Sequence, residues 1–158
     1  MLTSPLELDL PDADATAALG RSIGAVLAPG DTLLLQGPVG AGKTHFARSL
    51  IQSILLTPED VPSPTFTLVQ TYDTSRGPLW HTDLYRLSDS SEIEELGLSE
   101  AFETAICLVE WPDRLAAPPA DALTLTLADD KAGDGRVATL TWRAGDWADR
   151  LELEHIHV

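Results

Sequence analysis

Lysine is nearly missing from this chain of 158 residues. There are two, Lys43 and Lys131, against 25 acids, and the formal net charge is −15. Affinity for a nucleic-acid backbone comes mainly from Lys and Arg neutralising phosphates, so independent binding to RNA or DNA is disfavoured. Any involvement with nucleic acid is expected to run through a partner. Cysteine occurs once, as Cys107. No internal disulfide can form, and its place in an apolar run reads as a small core residue rather than a reactive thiol. No stretch approaches the ~20 apolar residues needed to span a bilayer. The opening "MLTSPLELDLPDADATAALG" lacks a basic start and a long apolar run, so no signal peptide and a cytoplasmic location are expected. Internal repeats and low-complexity tracts are also lacking. What remains is an apolar fraction of 44% with ordinary charge content. That composition predicts a globular chain, one domain over residues 1–158.

Apolar residues at Ala15, Ala18, Leu19, Ile23, Val26 and Leu27 recur at helical spacing, with acids before them and Gly30 as a stop. "DTLLLQG" is a short apolar run bounded by turn residues, the pattern of a strand buried on both faces. "KTHFARSLIQSILL" reads as a helix ending before Pro58. "TFTLVQTYD" and "LWHTDLY", separated by "TSRG", read as an antiparallel hairpin. "SDSSEIEELGLSEAFE" reads as a helix and "AICLVEW" as a second buried strand. "DRLAAPPAD" is a Pro-rich loop. "ALTLTLADD" and "RVATLTW", joined by "KAGDG", form a second expected hairpin, and "AGDWADRLELEHI" a short final helix. Helices and strands that alternate, with hairpins added, predict a three-layer α/β fold whose mixed sheet has a parallel core.

"GPVGAGKT", Gly37 to Thr44, matches G-x-x-x-x-G-K-[ST] in full, with an apolar strand before it and a helix after. Gly37, Gly40 and Gly42 let the backbone reach conformations closed to residues with a Cβ, so successive N–H groups can turn inward around a phosphate. The helix N-terminus adds partial positive charge. Lys43 is placed to reach the outer phosphates and Thr44 to offer its hydroxyl to Mg²⁺. A nucleoside triphosphate site is the strongest inference from the residues alone.

Such a site normally carries a carboxylate at the end of a neighbouring strand. Glu110 follows the buried run Ala105 to Val109, and Asp83 ends a polar-alternating strand, so spacing leaves the two roles open. His81 shares a strand face with Asp83 and Tyr85, where it could poise that carboxylate or serve as a core histidine. Thr65 in "SPTFT" stands where P-loop hydrolases often have a threonine that senses the terminal phosphate. It could equally be a turn threonine. Arg86 could meet phosphate charge or pair with a helix acid. Trp111 could contact a nucleotide or pack under the metal loop, whereas Trp142 and Trp147 read as packing residues. His155 and His157 are a weak metal signal without a third ligand.

Taken together and in order, "GPVGAGKT", "SPTFTLVQTY", "HTDLYRL" and "ICLVEWPDRL" resemble the TsaE (YjeE) family of small bacterial ATPases, over nearly the whole chain. The resemblance implies ATP/ADP and Mg²⁺ as cofactors, with hydrolysis slow alone and faster with partners. The implied partners are a TsaD-like threonylcarbamoyl transferase subunit and its TsaB-like paralogue. Their shared task is the threonylcarbamoyl modification of the adenosine next to the anticodon in tRNAs reading codons that start with A. The tRNA itself would be handled mainly by those partners.

Residue by residue, the resemblance carries nucleotide contacts to Gly37, Pro38, Val39, Gly40, Ala41, Gly42, Lys43, Thr44 and His45. It implies Mg²⁺ at Thr44 and Glu110, a role for Asp83 in hydrolysis or beside the metal, and a switch role for Thr65. Trp111, Thr16 and Arg136 are implied to border the nucleotide. The chain departs from the family at Pro38, where Asp is common, and at His45, where Thr is usual. Pro38 removes one backbone donor from the loop. Two other classes compete with an ATPase: a small-molecule kinase, which the few scattered arginines count against, and a nucleotide-gated binding module with incidental hydrolysis.

Overall fold

The computed structural model describes residues 2–38, 40–64, 67–87, 90–130 and 135–153. Seven strands form a single mixed sheet in the order β1-β7-β6-β2-β5-β4-β3. In chain order the strands are β1 (Leu6–Leu10), β2 (Thr32–Gln36), β3 (Val69–Thr74), β4 (Gly77–Asp83), β5 (Ile106–Glu110), β6 (Leu123–Asp129) and β7 (Arg136–Thr141). The helices are α1 (Ala13–Gly24), α2 (Lys43–Ile54), α3 (Ser90–Glu95), α4 (Leu98–Thr104) and α5 (Trp147–Leu153). Strands β4, β5, β2 and β6 run parallel, while β3, β7 and β1 join antiparallel. The expected parallel core with added hairpins is therefore present.

The apolar runs occupy the centre, as burial on both faces requires. All of β5 is buried, and so are Thr32 to Leu35 of β2. Because side chains alternate along a strand, each central strand feeds two cores. Leu33, Leu35, Ile106 and Leu108 pack with Ile23, Phe46, Leu50 and Trp147 on one face. Leu34, Cys107 and Val109 pack with Leu98 and Ala101 on the other. Burial of Cys107 pushes its thiol up to about 12, in keeping with an inert core residue. Helix α1 starts at Asp12, whose side chain accepts from the Ala15 amide at 2.8 Å. At Gly20 a Cβ would stand 3.0 Å from the Phe46 carbonyl oxygen. That close approach lets α1 lie against α2, the helix that carries Lys43 and Thr44.

Two local readings are corrected. The strand β1 stands where only the opening of the chain had been read, although Leu6, Leu8 and Leu10 alternate inward with Glu7 and Asp9 exposed. The single helix expected over "SDSSEIEELGLSEAFE" is two, separated at Gly97 with φ 81. Gly97 takes the left-handed conformation that ends a helix.

Candidate functional site

Strands β2, β5 and β4 are parallel neighbours, so their C-terminal ends open on one edge of the sheet. Ligand sites form at that edge in open α/β sheets. The loop after β2 wraps there. Gly37, Gly40 and Gly42 hold φ values of 144, 84 and 103, which the glycine reading anticipated. At Gly37 a side chain is also excluded by space, because a Cβ would sit 2.5 Å from the Leu127 carbonyl oxygen. Pro38 keeps a structural use, since its carbonyl accepts from the Ala41 amide at 3.1 Å. Val39 and Thr65 lie outside the described residues, as do His155 and His157.

A cavity of about 400 Å³ is lined by Gly40, Gly42, Lys43, Thr44, His45, Asp83, Tyr85, Glu110 and Trp111. The tertiary structure thus gathers residues from three strand ends and one helix start. Lys43 is 6% exposed. Its ammonium donates to the Gly37 carbonyl at 2.6 Å and sits 3.5 Å from the centroid of the Trp111 ring. Desolvation lowers its pKa from the ordinary 10.5, opposed by the negative charges of Glu110, Asp83 and Asp113. Trp111 holds φ 60 and packs against Tyr85, which is 49% exposed, with ring centroids 4.7 Å apart and planes tilted by 48°.

The two carboxylates differ in what holds them. Glu110 is 2% exposed. Its Oε1 accepts from the Thr44 hydroxyl at 3.2 Å, and its Oε2 from His81 Nε2 at 2.7 Å. Asp83 stands beside it in the β4–β5 register, 6% exposed, with Oδ1 accepting from the Tyr85 amide at 2.9 Å. The idea that His81 poises Asp83 is therefore corrected. His81 is in register with Leu108, and its ring reaches diagonally across to Glu110. Residues on one strand face point the same way, so the nearer partner lies on the adjacent strand.

A hydroxyl and one carboxylate meeting at the helix start suit Mg²⁺. That ion takes hard oxygen ligands, usually with waters and substrate phosphates. Among the described residues no group of three or more His, Cys, Asp or Glu could hold a metal by itself. The donor set fits a metal shared with phosphates better than an all-protein cage.

A second cavity of about 230 Å³ adjoins the first and is lined by Thr16, His45 and Arg136 among others. Thr16 is 3% exposed. His45 Nε2 lies 3.0 Å from the Ala13 carbonyl, which can only accept, so that nitrogen carries the hydrogen. Arg136 divides its guanidinium: Nε donates to the Ala41 carbonyl at 3.1 Å and Nη2 to the Gly40 carbonyl at 3.2 Å, while Nη1 donates to the Gly135 carbonyl at 3.0 Å and lies 3.4 Å from Asp129. Two of its nitrogens thus brace the phosphate loop, which no local pattern in "GDGRV" announces.

The strand expected over "TFTLVQTYD" begins only at Val69, and of the segment before it the sequence singled out Thr65. The structure adds Leu68, at φ 67, whose carbonyl accepts from the Thr82 hydroxyl at 2.6 Å and the Asp83 amide at 3.1 Å. Arg48 of α2 donates to the Val61 carbonyl at 2.8 Å. These bonds tie both ends of the "SPTFT" stretch to elements of the site. A bulky residue at positive φ leaves no mark in sequence, so this anchor was not legible.

Known proteins resemble this chain over most of its length. A family model described as "Threonylcarbamoyl adenosine biosynthesis protein TsaE" matches residues 10–137. The Rickettsia felis protein named "tRNA threonylcarbamoyladenosine biosynthesis protein TsaE" is 39% identical over 126 residues, covering 78% of this chain and 74% of its own. The Rickettsia bellii protein of the same name is 37% identical over 131 residues, covering 81% and 89%. The crystal structure of Bacillus subtilis YdiB superposes with a TM-score of 0.75 at 27% identity, over 98% of this chain and 97% of that one. With the matched span running from the end of β1 to the start of β7, through every residue of the larger cavity, this chain belongs to the TsaE family.

Proposed function

We propose that this chain is a Mg²⁺-dependent ATP-binding protein and ATPase. In this reading it supports the threonylcarbamoyl transferase complex that modifies the adenosine next to the anticodon of tRNAs reading codons that start with A. One observation carries the reading: Lys43, Thr44, Glu110 and Asp83 converge on a single cavity at the phosphate loop. The names of the relatives, tRNA threonylcarbamoyladenosine biosynthesis proteins, support the pathway. The TsaD-like and TsaB-like partners are those that the family resemblance implies.

The residues divide the chemistry as follows. The loop amides and Lys43 bind the outer phosphates. To do so Lys43 exchanges the Gly37 carbonyl and the Trp111 ring for phosphate oxygens. Thr44 and Glu110 would hold Mg²⁺, which supplies charge neutralisation on the phosphates when bound. Asp83 orients a water and accepts its proton as the water oxygen bonds to the γ-phosphorus. The bond from that phosphorus to the bridging oxygen breaks, and ADP departs with the oxygen. Among the described residues lining the cavity of about 400 Å³ there is no arginine. Several described arginines are committed elsewhere: Arg48 to Val61, Arg76 to Leu27, Arg136 to the loop and Arg150 to Asp31. An arginine supplied by a partner is worth about 10³–10⁵ in rate in other P-loop enzymes, which would account for the slow turnover alone and faster turnover in a complex that the family resemblance implies. The same commitment of arginines weighs against a small-molecule kinase, whose lid needs several.

The Asp83→Asn variant tests the assignment. It is expected to bind ATP and the partner proteins normally and to lose about 10²-fold or more in hydrolysis, the usual worth of a general base. Phosphate release at the native rate would remove Asp83 from the mechanism. Lost hydrolysis with full support of tRNA modification would instead favour a nucleotide-gated binding module.

A further inference from the structure

We propose that His81 is a positioning residue that makes Glu110 a one-oxygen partner for the metal and so sets a preference for Mg²⁺ over Ca²⁺. The inference rests on the nucleotide and magnesium reading above. It starts from how the two oxygens of Glu110 are spent. Oε2 is held in the core by His81 Nε2 at 2.7 Å, with the two side chains 0% and 2% exposed. Oε1 turns to the Thr44 hydroxyl at 3.2 Å, at the mouth of the phosphate loop. A carboxylate only accepts, so the Nε2 of His81 carries the hydrogen.

The rest of the ring has no competing use. Nδ1 is buried and has no hydrogen-bond partner among the described residues. A core histidine kept only for packing would be expected to satisfy both nitrogens, because an unpaired buried polar atom costs stability. Here one nitrogen goes unpaired while the other fixes Glu110. The β4–β5 pairing that sets His81 beside Leu108 and Asp83 beside Glu110 holds this arrangement in place.

The consequence is metal selectivity. Ca²⁺ takes six to eight oxygens and readily uses a carboxylate through both of its oxygens. Mg²⁺ is smaller, demands near-octahedral geometry and keeps waters. With Oε2 committed to His81, Glu110 presents Oε1 alone, which suits the smaller ion. Partners that orient a ligand in this way typically govern about 10–100-fold in metal affinity.

Calorimetric titration of ADP, alone and with Mg²⁺ or Ca²⁺, tests the proposal without relying on turnover. For the native chain Mg²⁺ is expected to tighten ADP binding more than Ca²⁺ does. In His81→Phe the ratio of the two effects should fall by about tenfold. In His81→Gln, whose amide nitrogen can stand near the original Nε2, the ratio should be kept. Metal-free ADP affinity should match in all three, because the loop amides are untouched. If Mg²⁺ does not tighten ADP binding to the native chain, the magnesium reading itself fails. If it does and His81→Phe keeps the native ratio, the role of His81 fails alone.

A measurement on the native chain stands independently of how the variants fold. The Nε2 proton of His81 should give a downfield, exchange-protected NMR resonance that persists when Mg²⁺ and ADP are added. Its loss on metal binding would overturn the division of the two oxygens.

Discussion

Lys43 is buried beside two carboxylates, yet desolvation outweighs their attraction and lowers its pKa from the ordinary 10.5. The ammonium is thus held in a place that favours it less than water does, and incoming phosphates would correct this. With two lysines in the chain, methyl-labelled NMR can follow each directly. Lys43 is expected to titrate below 10.5. Glu110→Gln should move it lower still, because the Glu110 charge acts to raise it, and saturating nucleotide should move it up. The linkage has a definite sign. Between the folded-state midpoint and 10.5 the unfolded chain binds more protons at this site, so stability contributed by Lys43 rises with pH across that window. An upward shift in Glu110→Gln would contradict this account.

The phosphate loop is braced from outside itself as well as within. Its carbonyls at Gly40 and Ala41 are held by Arg136 from the first position of β7, a strand that enters the sheet on the far side of β6. Charge-assisted bonds of this kind contribute about 1.5–3 kcal/mol each where they are fully formed, and Arg136 is partly exposed, so a smaller effect is expected. Arg136→Met should weaken nucleotide binding by about tenfold, equivalent to ~1.4 kcal/mol, as read by calorimetry. Unchanged affinity would mean that the loop keeps its shape unaided. Other elements were readable by pattern. "DTLLLQG" and "AICLVEW" became β2 and β5 because an unbroken apolar run has only the sheet centre to occupy. The break at Gly97 was not, since a left-handed residue inside a helical composition follows from packing rather than from periodicity.

At the scale of the whole molecule the net charge of −15 governs encounters. Among the described residues no helix is long and apolar enough to cross a membrane. The chain alone is expected to show no shift of tRNA mobility in a native gel at physiological salt, because few cations are present to displace counterions. Its association with a basic partner surface should weaken as salt rises from about 50 to 300 mM, through screening over a Debye length of ~10 Å or less. Tight binding of free tRNA would overturn the view that nucleic acid is reached only through partners.

The sequence by itself determined the phosphate loop, the central strands and the pair of acids. Each depends on local properties: glycine's backbone freedom, continuous apolar runs, and carboxylates at strand ends. The tertiary structure alone decided what holds each of those acids. Glu110 meets Thr44 across 66 positions of chain, and His81 meets Glu110 across 29. Arg136 reaches the loop from 95 positions away. Such partners are set by strand order and register, which arise from long-range pairing. A shift of one residue in β4 against β5 would turn His81 to the other face. No local pattern carries that information, so the same "HTD" could be read as a histidine serving Asp83 until the neighbouring strand was in place.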